Sequence, residues 1–194
     1  VEAVDLEAAS GFASRALRLA RDTRAPDDPV IGTLAQNAGT LLLGEGRTQD
    51  GVEAFEVALR NRERIHGRRS PELSGPLRAL ATAQIQNGET AAARRTHERR
   101  CDLVADTAGT RSVAWGDALR DAGTMEMEAG EGRRARRLFE RAIEAYESAG
   151  EEGELLGRAK LELGFAMLRA DPRALAVRKR ASEEIRSGLL LLEH

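Results

Sequence analysis

Apolar residues recur along the chain with the spacing of an α-helix, and no stretch alternates with the period of two that a half-buried β-strand requires. The pattern predicts an all-α protein. The predicted helices cover about residues 3–24, 30–43, 48–66, 72–86, 90–106, 112–129, 132–149, 154–169 and 173–190. Ser70-Pro71 and Asp171-Pro172 support two of the starts, because each places a capping residue before a proline in the first helical turn.

The helices form an internal repeat. A small residue recurs at intervals of 42, 42 and 41 positions, at Gly39, Ala81, Gly123 and Gly164. Seven positions further on, the chain has Gly46, Gly88 and Gly130, with Asp171-Pro172 in that place in the last unit. Glycine permits a positive φ, so a turn between two helices is expected there. A period in this range is typical of stacked helical units.

The second helix of each unit has its own pattern. Gly51, Ala93 and Ala135 are followed four positions later by Phe55, His97 and Phe139. The same pattern falls earlier on Ala9 and Ala13, so the chain begins with half a unit. One repeat domain is expected over residues 1–191, with the half repeat at 1–25 and repeats at about 30–67, 72–109, 112–150 and 154–190. Residues 192–194, which end in His194, are expected to be a tag remnant.

The recurring small residues predict a close approach of the two helices in a pair, because backbones packed about 8–10 Å apart leave room only for Gly or Ala. Phe55 and Phe139 are expected to reach the first helix of the following unit. His97 takes the same place in the unit between them, where phenylalanine is expected to be tolerated.

Two units resemble the tetratricopeptide repeat (TPR): Gly39, Gly46, Gly51, Phe55 and Ala58 in one, and Gly123, Gly130, Ala135, Phe139 and Ala142 in the other. The period of about 42, the Gln36-Asn37 pair and the segment from Ala58-Leu59 to Ser70-Pro71 are similar to the longer variety found in kinesin light chains and in many bacterial signalling proteins. The pattern departs from the family at His97, Arg100 and Arg178. The resemblance implies a right-handed superhelix of antiparallel helix pairs, an α-solenoid.

The resemblance also implies the function of a noncatalytic scaffold that binds a peptide or partner domain in a concave groove lined by the first helices. The residues that match the groove positions are Gln36, Arg78, Arg120 and Leu161 in one column, Thr40, Thr82, Thr124 and Phe165 in the next, and Leu43, Ile85, Met127 and Leu168 beside them. Arg78 and Arg120 are expected to form a two-arginine clamp, which favours an acidic or C-terminal peptide segment as the partner.

Charge and composition favour no other class of partner. Thirty basic residues stand against 32 acidic ones, and aromatic residues make up 3% of the chain, so neither nucleic acid nor a membrane is the expected partner. A single cysteine, Cys101, excludes an internal disulfide. The cytoplasm is the expected compartment.

The residue types of an enzyme site do not occur in a catalytic pattern, so no enzyme activity and no cofactor are expected. The glycines at 44–46 and 130–132 fall at helix turns without a nearby lysine, unlike a phosphate-binding loop. His66 and His97 lack a second ligand at helical spacing, which excludes a zinc pattern. His97 and Cys101 are expected to be structural, with a buried thiol.

Charged clusters are interpreted in the same way. The acids Asp117, Asp121 and Glu128 are expected to be solvated, with Asp117 and Asp121 near enough to neutralise Arg120. Two arginine clusters each start a second helix, at residues 94–100 and 133–137, and are expected to be solvated among acids.

Two functional hypotheses remain open. The first is a scaffold within a larger bacterial signalling or regulatory protein. The second is an intramolecular sensor or self-association segment that regulates an attached kinase, ATPase or transcription-factor domain, and a homodimer is compatible with it.

Overall fold

The structure is a computed structural model that describes residues 6–192, and over that range its regular secondary structure is helical, without a strand. The helices are α1 (Leu6–Thr23), α2 (Pro29–Gly44), α3 (Thr48–His66), α4 (Ser74–Gln86), α5 (Thr90–Ala108), α6 (Val113–Glu128), α7 (Gly132–Ser148), α8 (Glu154–Ala170) and α9 (Leu175–Leu192). The all-α prediction is confirmed. The first five residues of the half repeat and residues 193 and 194 of the expected tag lie outside the described residues.

One helix start differs from its prediction. The segment expected to begin α4 at residue 72 is a separate 3₁₀ turn, Pro71–Leu73, and α4 begins at Ser74. The Ser70 hydroxyl accepts a hydrogen bond from the backbone N–H of Glu72, so the capping signal at Ser70-Pro71 is used by the 3₁₀ turn.

The chain forms two compact units, residues 1–103 and 104–194, and the division falls inside α5. In the first unit α1 packs on α2, α2 on α3, and α3 on α4; in the second, α6 packs on α7, α7 on α8, and α8 on α9. Each unit therefore builds its core between helices that follow one another in the sequence.

The helices of a pair run antiparallel. Along α2 and α3, the close approaches join Leu43 to Gly51, Gly39 to Phe55, and Gly32 to the side chain of Asn61. Residue numbers rise along one helix as they fall along the other, which only an antiparallel pair produces. The pair α6 and α7 repeats this register, because Gly123 meets Phe139 and Gly116 meets Tyr146.

The recurring glycines Gly39 and Gly123 make room for rings, which corrects the expected reason for these two, whereas a Cβ at Gly164 would stand 2.9 Å from the backbone carbonyl oxygen of Ala181, as a close approach of backbones requires. A Cβ atom at position 39 would stand 2.9 Å from two ring atoms of Phe55, and at position 123 it would stand 2.7 Å from the Phe139 ring. A close approach of backbones is found between α8 and α9 instead. There a Cβ at Gly188 would stand 2.5 Å from the carbonyl oxygen of Gly157.

Phe55 also lies where the sequence predicts, at the junction with the next repeat. Its ring belongs to one buried cluster with Leu73, Leu77 and Leu80 around the start of α4. Phe139 is 1% exposed, on a helix that packs on both α6 and α8.

The expectation that Arg178 takes the aromatic position of the last repeat is wrong. Arg178 is exposed, and the space beside Gly164 is taken by the Ile185 side chain and the Ala181 carbonyl group. Cys101, expected to be buried, is partly exposed.

The turns depend on glycine as predicted. Gly46, Gly88 and Gly130 end α2, α4 and α6 with φ of 78°, 78° and 83°. A second set, which the repeat pattern does not single out, lies at the ends of α3, α5 and α7: Gly67, Gly109 and Gly150, with φ of 84°, 82° and 76°. All six have a positive φ, which strains an L-residue with a side chain.

Candidate peptide-binding surface

The first helices α2, α4, α6 and α8 each present one face to their second helix and another face to solvent. None of the predicted groove residues is buried. In the first unit they are Gln36, Thr40, Leu43, Arg78, Thr82 and Ile85; in the second they are Arg120, Thr124, Met127, Leu161, Phe165 and Leu168. We call these two sets the first-unit surface and the second-unit surface. Within each unit its two first helices touch, α2 with α4 and α6 with α8.

The threonine column has a common hydrogen-bond state. The hydroxyls of Thr40, Thr82 and Thr124 each donate to a backbone carbonyl four residues earlier, at distances of 3.1 Å. Because each hydroxyl has one proton, that proton is already used within the helix. These threonines therefore present oxygen lone pairs, which suit a ligand N–H group better than a carboxylate.

Leu43 and Gln36 are partly occupied by the first unit itself. Leu43 lies against Gly51 on α3 and packs on the neighbouring core cluster. The amide oxygen of Gln36 accepts from the Arg62 guanidinium at 3.3 Å. Gln36 is left with its N–H₂ group as the donor for a ligand.

Arg78 and Arg120 have different surroundings. Arg78 is exposed and has no acidic partner among residues 6–192. Arg120 is partly buried, with Nη1 3.5 Å from the Glu162 carboxylate and Nη2 3.6 Å from that of Asp121. Arg78 can therefore receive a new carboxylate without losing one, whereas Arg120 cannot.

The Arg120 ion pairs belong to a network that joins α6, α7 and α8. Tyr146 on α7 is fully buried and donates its phenolic proton to Asp117 at 2.7 Å. Burial, reinforced by Asp117, raises the pKa of Tyr146 above its ordinary value. The phenol is therefore neutral and acts as a hydrogen-bond donor at neutral pH.

Two opposing effects act on the ionisation of Arg120 and Glu162. Burial by itself lowers the pKa of Arg120, but the neighbouring Glu162, Tyr146 and Asp121 outweigh it and the net shift is upward. Burial raises the pKa of Glu162, and the attraction of Arg120 offsets only part of that shift. Arg120 therefore keeps its charge, and that charge stabilises the partly buried carboxylates.

The sequence predicted part of this network. Asp121 lies beside Arg120 as expected, whereas Asp117 binds Tyr146 and Glu162 supplies the other carboxylate. The sequence did not predict Glu162, because the last repeat begins after a spacing of 41 and not 42 residues, and Leu161 was therefore assigned to the Arg120 column. The spacing of 42 from Arg120 to Glu162 was the available signal.

The apolar part of the second-unit surface lies on α8, with Met127 added from α6. Phe165 is 50% exposed, on a helix whose other face is buried. Met127 and Leu168 are partly exposed. Leu161 is held close to α9, since its backbone nitrogen would stand 2.8 Å from a Cβ at Gly188.

Over residues 6–192, no group of three His, Cys, Asp or Glu side chains is arranged to hold a metal ion. No helix of the described range combines the length and the apolar character that crossing a membrane requires.

Comparisons with solved structures identify the fold. A kinesin light chain-like protein from Podosopora anserina with nearly identical TPR-like repeats matches with a TM-score of 0.79 at 16% identity, over 96% of this chain and 86% of that one. BtubC (BKLC) from P. vanneervenii matches with a TM-score of 0.71 at 20% identity, over 96% and 75% of the two chains. MamA matches with a TM-score of 0.63 at 17% identity, over 96% and 88%.

No family model matches the sequence, and no curated protein does. The matched structures are TPR-like repeat proteins. Identities this low show the fold alone, and that fold agrees with the repeat pattern in the sequence.

Proposed function

We propose, on the premise of this TPR-like fold, that the chain is a noncatalytic scaffold for protein interactions that binds a peptide or partner domain on the first-helix surfaces. The observation that carries the proposal is that none of the twelve residues on those surfaces is buried. They combine a half-exposed Phe165 with unpaired polar groups such as the Arg78 guanidinium. An apolar contact flanked by hydrogen-bonding groups is what peptide recognition uses.

The first-unit surface is suited to a carboxylate. Arg78 offers a planar fork of N–H donors that can take both oxygens of a carboxylate. No internal ion pair has to be broken, because Arg78 has none in the described chain. Its ligand is proposed to be an acidic side chain or a C-terminal carboxylate.

The second-unit surface is suited to an apolar side chain. Phe165, with Met127 and Leu168 on the same surface, offers area that a bound side chain would remove from water. Burying an aromatic or aliphatic side chain stabilises a complex by about 1.5–3 kcal/mol. Arg120 takes part in the proposed clamp only if the ligand carboxylate displaces Glu162 or Asp121, so we expect it to contribute less than Arg78.

The test is a peptide array, followed by anisotropy titration of the best peptides, in which acidic residues or the free C-terminus are varied. Arg78→Ala is compared with Arg60→Ala, an exposed arginine paired to Glu56 on α3. Phe165→Ala is compared with Phe12→Ala, a phenylalanine that is 66% exposed on α1. We expect Arg78→Ala and Phe165→Ala each to weaken binding about tenfold, and the two control variants to bind like the wild type.

The clamp is tested by the double variant Arg78→Ala, Arg120→Ala, provided that its melting temperature is unchanged. If that double variant binds the peptide as tightly as the wild type, the two-arginine clamp is ruled out. If Phe165→Ala also binds as tightly as the wild type, the first-helix surfaces are ruled out as the binding site. A size change on dilution without peptide binding would favour the self-association hypothesis instead.

The cellular context is part of the proposal. We place this scaffold in a larger bacterial signalling or regulatory protein of the cytoplasm. The support is the period of about 42, which is similar to that of the repeats found in such proteins. Expressing the gene with its flanking domains and testing their activity with and without the repeats would check this context.

A further inference from the structure

The two arginine clusters that look alike in the sequence have different roles in the structure. In α5, Arg99 is bound to the Glu63 carboxylate at 2.5 Å. Arg100 is 6% exposed and donates from Nε to the Ser74 hydroxyl at 3.2 Å. These side chains hold α5 against α3 and α4 and are part of the packing.

In α7 the corresponding cluster faces solvent. Arg133, Arg137 and Arg141 are all exposed, and their spacing of four residues places them along one side of the helix. None of them has an ion pair within residues 6–192. We call these three residues the α7 arginine stripe; Arg134 lies beside it, also exposed and unpaired.

Unpaired arginines at helical spacing are unlike the paired arginines elsewhere in this protein. Arg24, Arg60 and Arg158 each bind a carboxylate four residues away on or beside their own helix. On α7 itself, Arg136 pairs with Glu140 in that way. Each arginine of the stripe has another arginine four positions away, which repels it. Two acids stand three positions after a stripe arginine, Glu140 and Glu144, but Glu140 is bound by Arg136 and Arg180, and neither acid pairs with the stripe within residues 6–192.

The position of the stripe also disfavours it as a purely structural feature. It begins in the first turn of α7, where the helix dipole and free N–H groups repel cations and attract anions. Glu131, which precedes the helix, makes no side-chain capping bond that would neutralise this end. A bound anion would relieve both the repulsion between the arginines and their clash with the dipole.

The length and surroundings of the stripe define the ligand. From residue 133 to 141 the helix rises about 12 Å, with about 6 Å between successive arginines. Alternate side chains of an extended peptide lie about 6.5–7 Å apart, which matches that spacing. The exposed Glu144 follows on the same helix and repels an anion that extends further, and Glu147 beyond it is already paired with Lys160 at 3.5 Å.

A nucleic acid fits this surface less well. Its phosphates continue beyond three charges and would meet Glu144 and Glu147. Trp115 is the one aromatic ring beside the stripe among the described residues, and Arg141 already lies over it, 5.1 Å from the ring centroid. Base stacking therefore has no open ring here.

We propose that the α7 arginine stripe is a second interaction surface, which binds a short acidic segment of a partner polypeptide carrying two or three alternate carboxylates. Each guanidinium takes one carboxylate, and a basic residue that follows the acids in the partner would meet Glu144. This surface lies on a second helix and is separate from the first-helix surfaces of the proposed function.

The test uses a fluorescein-labelled peptide of about eight residues with alternating glutamate and alanine, titrated by anisotropy at low and at physiological salt. The triple variant Arg133→Gln, Arg137→Gln, Arg141→Gln keeps good helix formers in place. Its control is Arg47→Gln, Arg60→Gln, Arg158→Gln, which changes the net charge equally at arginines that are paired in the structure. We expect the stripe variant to bind about tenfold or more weakly, and the control to bind like the wild type.

Three results would overturn the proposal: wild-type binding by the stripe variant, an equal loss in the control, or tighter binding of an oligothymidylate of the same charge through the same arginines. Arg78→Ala separates the two surfaces, because it should weaken the peptides of the first-helix test, whereas the glutamate-alanine peptide, whose alternate carboxylates match the three arginines of the stripe, should keep most of its affinity. The fluorescence of Trp115, the only tryptophan, gives a second readout, since it should respond when Arg141 is engaged.

Discussion

The Phe139 ring occupies the volume that Gly123 leaves empty: a Cβ at position 123 would stand 2.7 Å from the ring atom Cε1. The ring is 1% exposed, so it has no free space into which it could move. We therefore expect Gly123→Ala to destabilise the fold by about 1–3 kcal/mol through overpacking, and Phe139→Ala to destabilise it by about 3–5 kcal/mol through a cavity.

The double variant Gly123→Ala, Phe139→Ala tests whether the two residues contact each other or destabilise the fold independently. A methyl group at position 123 would fill part of the cavity left by Phe139→Ala. The double variant should therefore lose less free energy of unfolding than the sum of the losses in the two single variants. Denaturant unfolding of the four proteins measures this coupling. Strict additivity would contradict the packing of Phe139 on Gly123.

His97 and Ala81 stand at the same separation of sixteen residues as Phe139 and Gly123. The sequence pattern by itself predicts that phenylalanine is tolerated at position 97. The structure changes that expectation, because Ala81 is fully buried. Its methyl group stands where the repeats of Phe55 and Phe139 have a glycine, so a phenylalanine ring at position 97 would have less room. We expect His97→Phe to destabilise by about 1–3 kcal/mol, and added Ala81→Gly to recover most of the loss in thermal unfolding.

Tyr146 gives the protein a predictable response to alkali. Burial raises its folded-state pKa above the unfolded value of 10.0, so its contribution to stability is complete below about pH 10 and is lost as the pH rises further. Since Tyr146 is the only tyrosine, tyrosinate absorbance reports it alone. We expect ionisation to coincide with unfolding measured by circular dichroism.

Tyr146→Phe provides the control for that titration. It removes the hydrogen bond to Asp117 and should destabilise by about 0.5–1.5 kcal/mol at neutral pH, while abolishing this part of the alkaline sensitivity. Tyrosinate formation near pH 10 in the still-folded wild type would show that the phenol is accessible to solvent, contrary to its position in the structure.

Gly109 and Gly11 provide a matched pair of glycine substitutions. At neither position would an added Cβ have a heavy atom of another residue within 4 Å, so space is equal, but only Gly109 has a positive φ, of 82°. Gly109→Ala should destabilise by about 1–2 kcal/mol because of backbone strain. Gly11→Ala, inside α1, should stabilise by about 0.5–1 kcal/mol. Equal effects in chemical denaturation would contradict the conformational argument.

The sequence predicted the helices and their order because each has a strong local signal. Gly46, Gly88 and Gly130 mark turns at nearly constant intervals, and turn chemistry depends on a few adjacent residues. The 3₁₀ turn at Pro71–Leu73 escaped prediction, because its capping signal at Ser70 is also that of an α-helix start.

The candidate surfaces could be predicted only as columns of residues. The repeat places Arg78 and Arg120 at equivalent positions, yet it does not reveal that Arg120 is bound by Glu162, since that depends on how α6 packs against α8. The same reason applies to the arginine clusters of α5 and α7. Their sequence patterns are alike, and only packing distinguishes the buried Arg100 from the exposed Arg137.

The six turn glycines have a stereochemical consequence. A φ near +80° is the mirror image of the region that L-residues favour, so these six positions have the backbone handedness of a D-amino acid. D-alanine introduced by chemical synthesis at Gly109 or Gly150 would suit the positive φ and would restrict the unfolded chain. Glycine, the achiral residue, thus allows a protein made of L-amino acids to adopt at these turns a backbone φ that is typical of D-amino acids.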